Sequence, residues 1–126
     1  MKDDQYDKYT ANGFVSEDVI ELGCREKYLN GVVYHGDMEE LKLIYRDSFW
    51  FLKNIAVWSH SAGSSNSGEI ITKIDREYLI SNNIRNRTDF LDVVFRCSPL
   101  KPCREMIEQH ADVIKFLDSL ISSLIS

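Results

Sequence analysis

The stretch PCREMIEQHADVIKFLDSLISSLI, residues 102–125, decides how the rest of the chain must fold. Met106, His110, Val113, Ile114, Leu117, Leu120, Ile121 and Leu124 recur every three or four residues, the spacing that lines one face of an α-helix. Pro102 suits a first helical turn, where its missing N–H costs nothing, and Ser98-Pro99 breaks the chain just before it. The pattern predicts one long C-terminal helix over 102–125. Such a helix is stable only against a complementary apolar surface, which the preceding residues must supply.

That surface reads as a sheet. Working back from the helix, Phe90 to Cys97 reads as the last strand, and Asn82 to Asp89 as a polar connector. Glu69 to Ile74 and Glu77 to Ile80 are rich in β-branched and aromatic residues around the polar Asp75-Arg76, a strand-turn-strand pattern. Ile55 to Trp58 reads as a buried strand beside the aromatic cluster Phe49-Trp50-Phe51-Leu52. Residues 37–47 fit two descriptions. Asp37 and Glu40 are spaced as a capping box, whereas Leu41, Leu43 and Tyr45 alternate as in a strand. Asn30-Gly31 between Tyr28-Leu29 and Val32-Val33-Tyr34 is a two-residue hairpin signal. Ser16 with Glu17 and Asp18 resembles a helix N-cap, so helix-then-hairpin and hairpin alone both fit. Residues 1–12 show no periodicity and read as loose.

Together these predict a single α+β domain over residues 1–126. Its antiparallel sheet of about four to six strands is covered on one face by the C-terminal helix. The chain's 126 residues suffice for one core, and 44% hydrophobic and 28% charged residues exclude a disordered chain. No apolar run is long enough for a membrane span, and Met1-Lys2-Asp3-Asp4 does not begin a signal peptide; a cytoplasmic protein is expected. Cys24, Cys97 and Cys103 are then expected to be thiols.

The net charge of −5 is unevenly placed. Residues 1–40 hold 10 of the 20 acids but only 4 of the 15 lysines and arginines. That asymmetry opposes phosphate and favours a basic protein partner.

Three constellations bear on chemistry. Ile55 to Gly63 runs from a strand into Ser59-His60-Ser61-Ala62-Gly63. This is similar to the nucleophile elbow of α/β-hydrolases, which would make Ser61 the nucleophile, with His60, His110 or His35 and a carboxylate such as Asp75 or Asp92 as partners. Ser59 stands where that motif has its first glycine, and the residues after Gly63 continue as serine-rich loop through Gly68. Cys97, Cys103 and His110 have none of the common zinc spacings; their distribution predicts a thiol and a histidine along one helix face, and no metal or cofactor. Arg76, Arg85, Arg87 and Arg96 form the one basic neighbourhood, read as a solvated side of a strand and its connector.

A small acidic domain without a catalytic motif is most simply an inhibitor of another protein. The expectation is an immunity protein that neutralises a bacterial nuclease-type toxin by covering its basic surface. Glu17, Asp18, Glu21, Asp37, Glu39 and Glu40 would face that surface, with Tyr34 or an exposed tryptophan, Trp50 or Trp58, as apolar anchor. The alternatives are a small serine-dependent hydrolase around Ser59–Gly68 and a non-catalytic accessory subunit or homodimer.

Overall fold

Alternating apolar and polar residues build five antiparallel strands: β1 (Gln5–Thr10), β2 (Val19–Leu29), β3 (Val32–Arg46), β4 (Phe49–Ser59) and β5 (Ser65–Ile74). The computed structural model describes the backbone of residues 5–29, 32–59, 65–96, 98 and 100–126, and the side chains of residues 8–26, 39–55, 68–96, 98 and 100–126. The strands lie side by side in chain order, so the sheet is a meander with β1 and β5 at its edges. Among the described residues four helices follow: α1 (Arg76–Ser81), α2 (Arg87–Val94), α3 (Lys101–Ile107) and α4 (Ala111–Ile125). The α+β architecture with a helix-covered sheet is the one the sequence predicts.

Period-two alternation sorts the sheet into two faces. Ile20, Leu22, Leu41, Leu43 and Ile74 are buried against Phe90, Leu91, Phe95, Ile107, Val113, Leu117 and Ile121 of the helical layer. Each fully buried side chain of this size contributes about 2 kcal/mol. The opposite face carries Glu21, Cys24, Glu40, Lys42, Ile44, Phe51, Lys53 and Ile71, none of them fully buried. A register shift between Glu21 and Gly23 lets Leu22 and Gly23 both turn inward. Gly23 is required there, since a Cβ would stand 2.8 Å from Cys103 Cβ and 2.9 Å from its Sγ.

Several local expectations change. Residues 37–46 belong to β3 and Asp47 to the turn after it, because Leu41 and Leu43 point into the core on strand spacing. Ser16 caps no helix: its Oγ accepts from Val19 N–H and donates to Val19 carbonyl, closing a tight turn whose tip is Glu17-Asp18. Gln5–Thr10 of the supposedly loose amino-terminal segment form β1. Leu29 pairs with Val32 as a two-residue hairpin requires, while Asn30-Gly31 themselves lie outside the described residues.

Glu77 to Ile80 is helical, because Asp75 accepts from Tyr78 N–H at 2.9 Å and caps α1. Phe90 to Val94 is helical for the same reason, with Asn86 accepting from Asp89 N–H at 2.9 Å. Phe90 and Leu91 then repeat one turn on as Val94 and Phe95, a helical face that a continuous apolar run conceals.

The C-terminal helix is broken. Glu108 and Gln109 form a turn, and His110, extended at φ −102° and ψ 98°, begins α4. Cys103 and Ile107 of α3, like Val113, Leu117 and Ile121 of α4, reach the core, whereas Met106 of the predicted stripe is 37% exposed because the break resets the face that α3 buries. Cys103 and His110 therefore do not share one helix face.

Candidate functional site

The β1–β2 connection meets the α3–α4 junction at one corner of the molecule. Gly13 makes this possible: its φ is +61°, and an added Cβ would fall 2.1–2.4 Å from the His110 ring. Its N–H donates to Glu21 carbonyl at 3.2 Å, and the Asn12 side-chain amide donates to the Glu21 carboxylate. Phe14 is left 59% exposed. Between these residues opens a cavity of about 560 Å³ lined by Asn12, Gly13, Phe14, Val19, Glu21, His110 and Asp112. Among the described residues two carboxylates and no lysine or arginine line it, and Asp112 sits in the first turn of α4, where its charge complements the helix dipole.

The expected partner-facing acids divide. Glu17 and Asp18 are exposed at the tip of the turn whose arms carry Phe14 and Val19, beside the cavity. Asp18 is fixed through its carbonyl, which accepts from Tyr45 N–H at 2.7 Å. Glu21 lines the cavity and, with Glu40, Thr10, Asn12 and Cys24, a narrow cleft adjoining it. Glu40 also pairs with Lys42 at 3.6 Å. Glu39 lies one residue away on the helix-covered side, paired with Arg25 at 3.7 Å, so it does not join the others. Burial raises the Glu39 carboxyl pKa, with Arg25 opposing the shift. Asp37 and Tyr34 belong to β3, but their side chains lie outside the described residues. Trp50 is a core-edge residue, packed edge-on against Phe116 with centroids 4.9 Å apart; the Trp58 side chain lies outside the described residues.

No other expected constellation is assembled among the described residues. His60 and Ser61 lie outside them, as does the His35 side chain. Of the carboxylates considered for a triad, Asp75 caps α1 and Asp92 pairs with Arg104 at 2.7 Å. Cys97 is also outside the described residues, and among those described no group of histidine, cysteine and carboxylate side chains could hold a metal. Cys103 is buried, its Sγ donating to Thr10 carbonyl at 3.1 Å, and burial raises its pKa. Burial, followed by the charges of Glu26 and Glu40, pushes the Cys24 thiol up to about 11. Burial thus favours the neutral thiol at both positions. The arginines are dispersed over the helical layer: Arg87 forks onto Asp118 at 2.9 and 3.0 Å, and Arg85 lies 3.9 Å from Asp89. Arg96 lines a cleft under α2.

The acidic corner was half visible in the sequence. Glu17, Asp18 and Glu21 stood out by charge, whereas Phe14 and Asp112 did not, because only the break at His110 brings α4 to the β1–β2 connection. Among the described residues no helix is long and apolar enough to cross a membrane. No protein-family model, no curated protein and no solved structure matches the chain.

Proposed function

We propose that the protein is a binding module that inhibits another protein by occlusion, as a bacterial immunity protein blocks a nuclease-type toxin, and that it works in the cytoplasm without a cofactor. The observation that carries this reading is the acidic corner. Its cavity joins Glu21 and Asp112 to an exposed Phe14, with Glu17 and Asp18 on the adjoining turn. A lysine or arginine entering such a cavity finds charge partners, and Phe14 supplies the aromatic anchor on which interface energy concentrates. The surrounding acids attract a basic surface before contact, which accelerates association. In this reading the docking set is Glu17, Asp18, Glu21, Asp112 and Phe14, with Glu40 at its margin. Inhibition by coverage requires no reactive group.

The test uses the tagged chain and the variant Glu17→Lys/Asp18→Lys/Asp112→Lys on native cell extract, eluted by rising salt. Wild type is expected to retain a stoichiometric basic protein that the variant loses, with helical and sheet signatures equal by circular dichroism. For the purified pair, the variant should associate about tenfold or more slowly at low salt, and the difference should shrink as salt rises. Equal retention by the two chains would refute the acidic corner as the docking site.

A further inference from the structure

Among the described residues the β5 edge of the sheet is unpaired. β5 ends the strand order, so half of its backbone N–H and C=O groups face away from β4 with no neighbouring strand among the described residues. It contains no proline, and Ile70 and Ile71 are 67% and 47% exposed on opposite faces. Such an edge is a template for another strand.

We propose that a second copy of this chain pairs there, β5 to β5, in antiparallel register about Ile71. The strand's own sequence carries the choice of occupant. A two-fold axis normal to the sheet places Ile71 opposite Ile71 of the partner subunit and Glu69 opposite Lys73 of the partner subunit. It also places Ile70 opposite Thr72 of the partner subunit. Each off-axis pair occurs twice, so the dimer gains two cross-strand ion pairs and a central apolar contact, all from residues that are exposed or half-buried in one chain.

Neighbouring registers lack this match. Opposed side chains must lie on the same face, so the register moves in steps of two. A shift one way sets Glu69 against Ile71 and leaves Lys73 facing Ser67; the other way sets Glu69 against Asp75 and Ile71 against Lys73. Of these three registers only the one about Ile71 pairs opposite charges.

The acids and bases remain available for it. Glu69 uses one carboxylate oxygen for Lys53 at 3.1 Å, leaving the other. Lys73 sits 3.6 Å above the Phe49 ring, a contact that leaves ammonium protons for a second acceptor. The result is a continuous ten-stranded sheet, twice the five of one chain, with both helical layers on one side. This inference is independent of the acidic corner, which lies by the opposite edge.

Sedimentation over a wide concentration range tests it, using wild type, Glu69→Lys, Lys73→Glu and an equimolar mixture of the two variants. Wild type is expected at twice the 14.6 kDa chain mass. Either variant alone opposes like charges at both sites, weakening dimerisation about tenfold or more. The mixture restores Lys-to-Glu pairing at both sites and should dimerise again, which an intramolecular folding defect would not allow. A wild type that stays monomeric, single variants that dimerise unchanged, or a mixture that fails to recover would each overturn the proposal. Should a variant fail to fold, amide exchange of wild type at Ile70–Thr72 gives the answer. Protection that grows with concentration supports the pairing, and protection independent of concentration refutes it.

Discussion

The two edges of the sheet are finished differently. β1 is 6 residues long, and its end is tied to the helical layer by the Cys103 thiol on Thr10 carbonyl. The following connection is fixed by Gly13 under His110. β5 is 10 residues long and ends the sheet with two isoleucines in solvent. The β1 side gathers carboxylates around a cavity, whereas β5 alternates charges of both signs with apolar residues. A surface of one sign suits a partner of the other sign. A strand that matches itself on reversal suits a second copy. Under the two proposals above, one border of the sheet serves a different protein and the other a second copy of this chain.

The largest expected effect breaks the closed side. Gly13→Ala imposes a Cβ on a positive-φ position already filled by the His110 ring, and should cost about 2–4 kcal/mol in urea unfolding. Gly13→Ala/His110→Ala should recover part of that loss by removing the ring, though not the share due to φ. A Gly13→Ala protein as stable as wild type would mean that the corner is loose and its cavity not preorganised.

A smaller effect concerns Cys24, near the same edge. Its folded pKa of about 11 lies above the ordinary value of 9.0, so the folded state holds the proton more tightly than the unfolded chain. The stability this contributes is complete below pH 9 and is lost as pH rises from 9 to about 11. Allowing for solvent screening at this half-buried site, the loss should be about 1 kcal/mol. Thermal melts of wild type and Cys24→Ala across that range measure it, the variant falling less steeply.

The smallest effect belongs to the open edge. Ile70→Ser should change the unfolding free energy of the monomer by less than about 0.5 kcal/mol, since Ile70 is 67% exposed. Measured at low concentration, a cost near that of Gly13→Ala would erase the contrast between the edges.

How much of this was legible in the sequence follows from where local and global signals agree. The C-terminal apolar period marked Val113, Leu117 and Ile121 as core-facing, but it included the exposed Met106 and passed over the buried Ile107, because one period continued across two helices and concealed the break at His110. Leu41 and Leu43 settle β3 as a strand only because the core lies on one side of it; capping chemistry at Asp37 alone gave equal support to a helix. The apolar content of Glu77 to Ile80 and Phe90 to Cys97 reads as strand, whereas the caps at Asp75 and Asn86, which the apolar pattern does not reveal, start helices α1 and α2. The turn between β3 and β4 carried no conventional signal: Asp47 and Ser48 take φ of 53° and 70°, positions where Asn-Gly would have announced a hairpin. At the acidic corner, charge marked Glu17, Asp18 and Glu21. The placement of Phe14 and Asp112 depended on contacts between segments nearly a hundred residues apart.

The assignment of different partners to the two edges is tested most directly by the composition of the complex. Native mass spectrometry of the material retained by the tagged chain, eluted under mild conditions, counts both components. The account predicts two copies of this chain with two copies of a basic partner, because pairing through β5 leaves both acidic corners open. A complex of one copy with one partner, formed as the dimer disappears, would contradict it by making the two edges compete for one site.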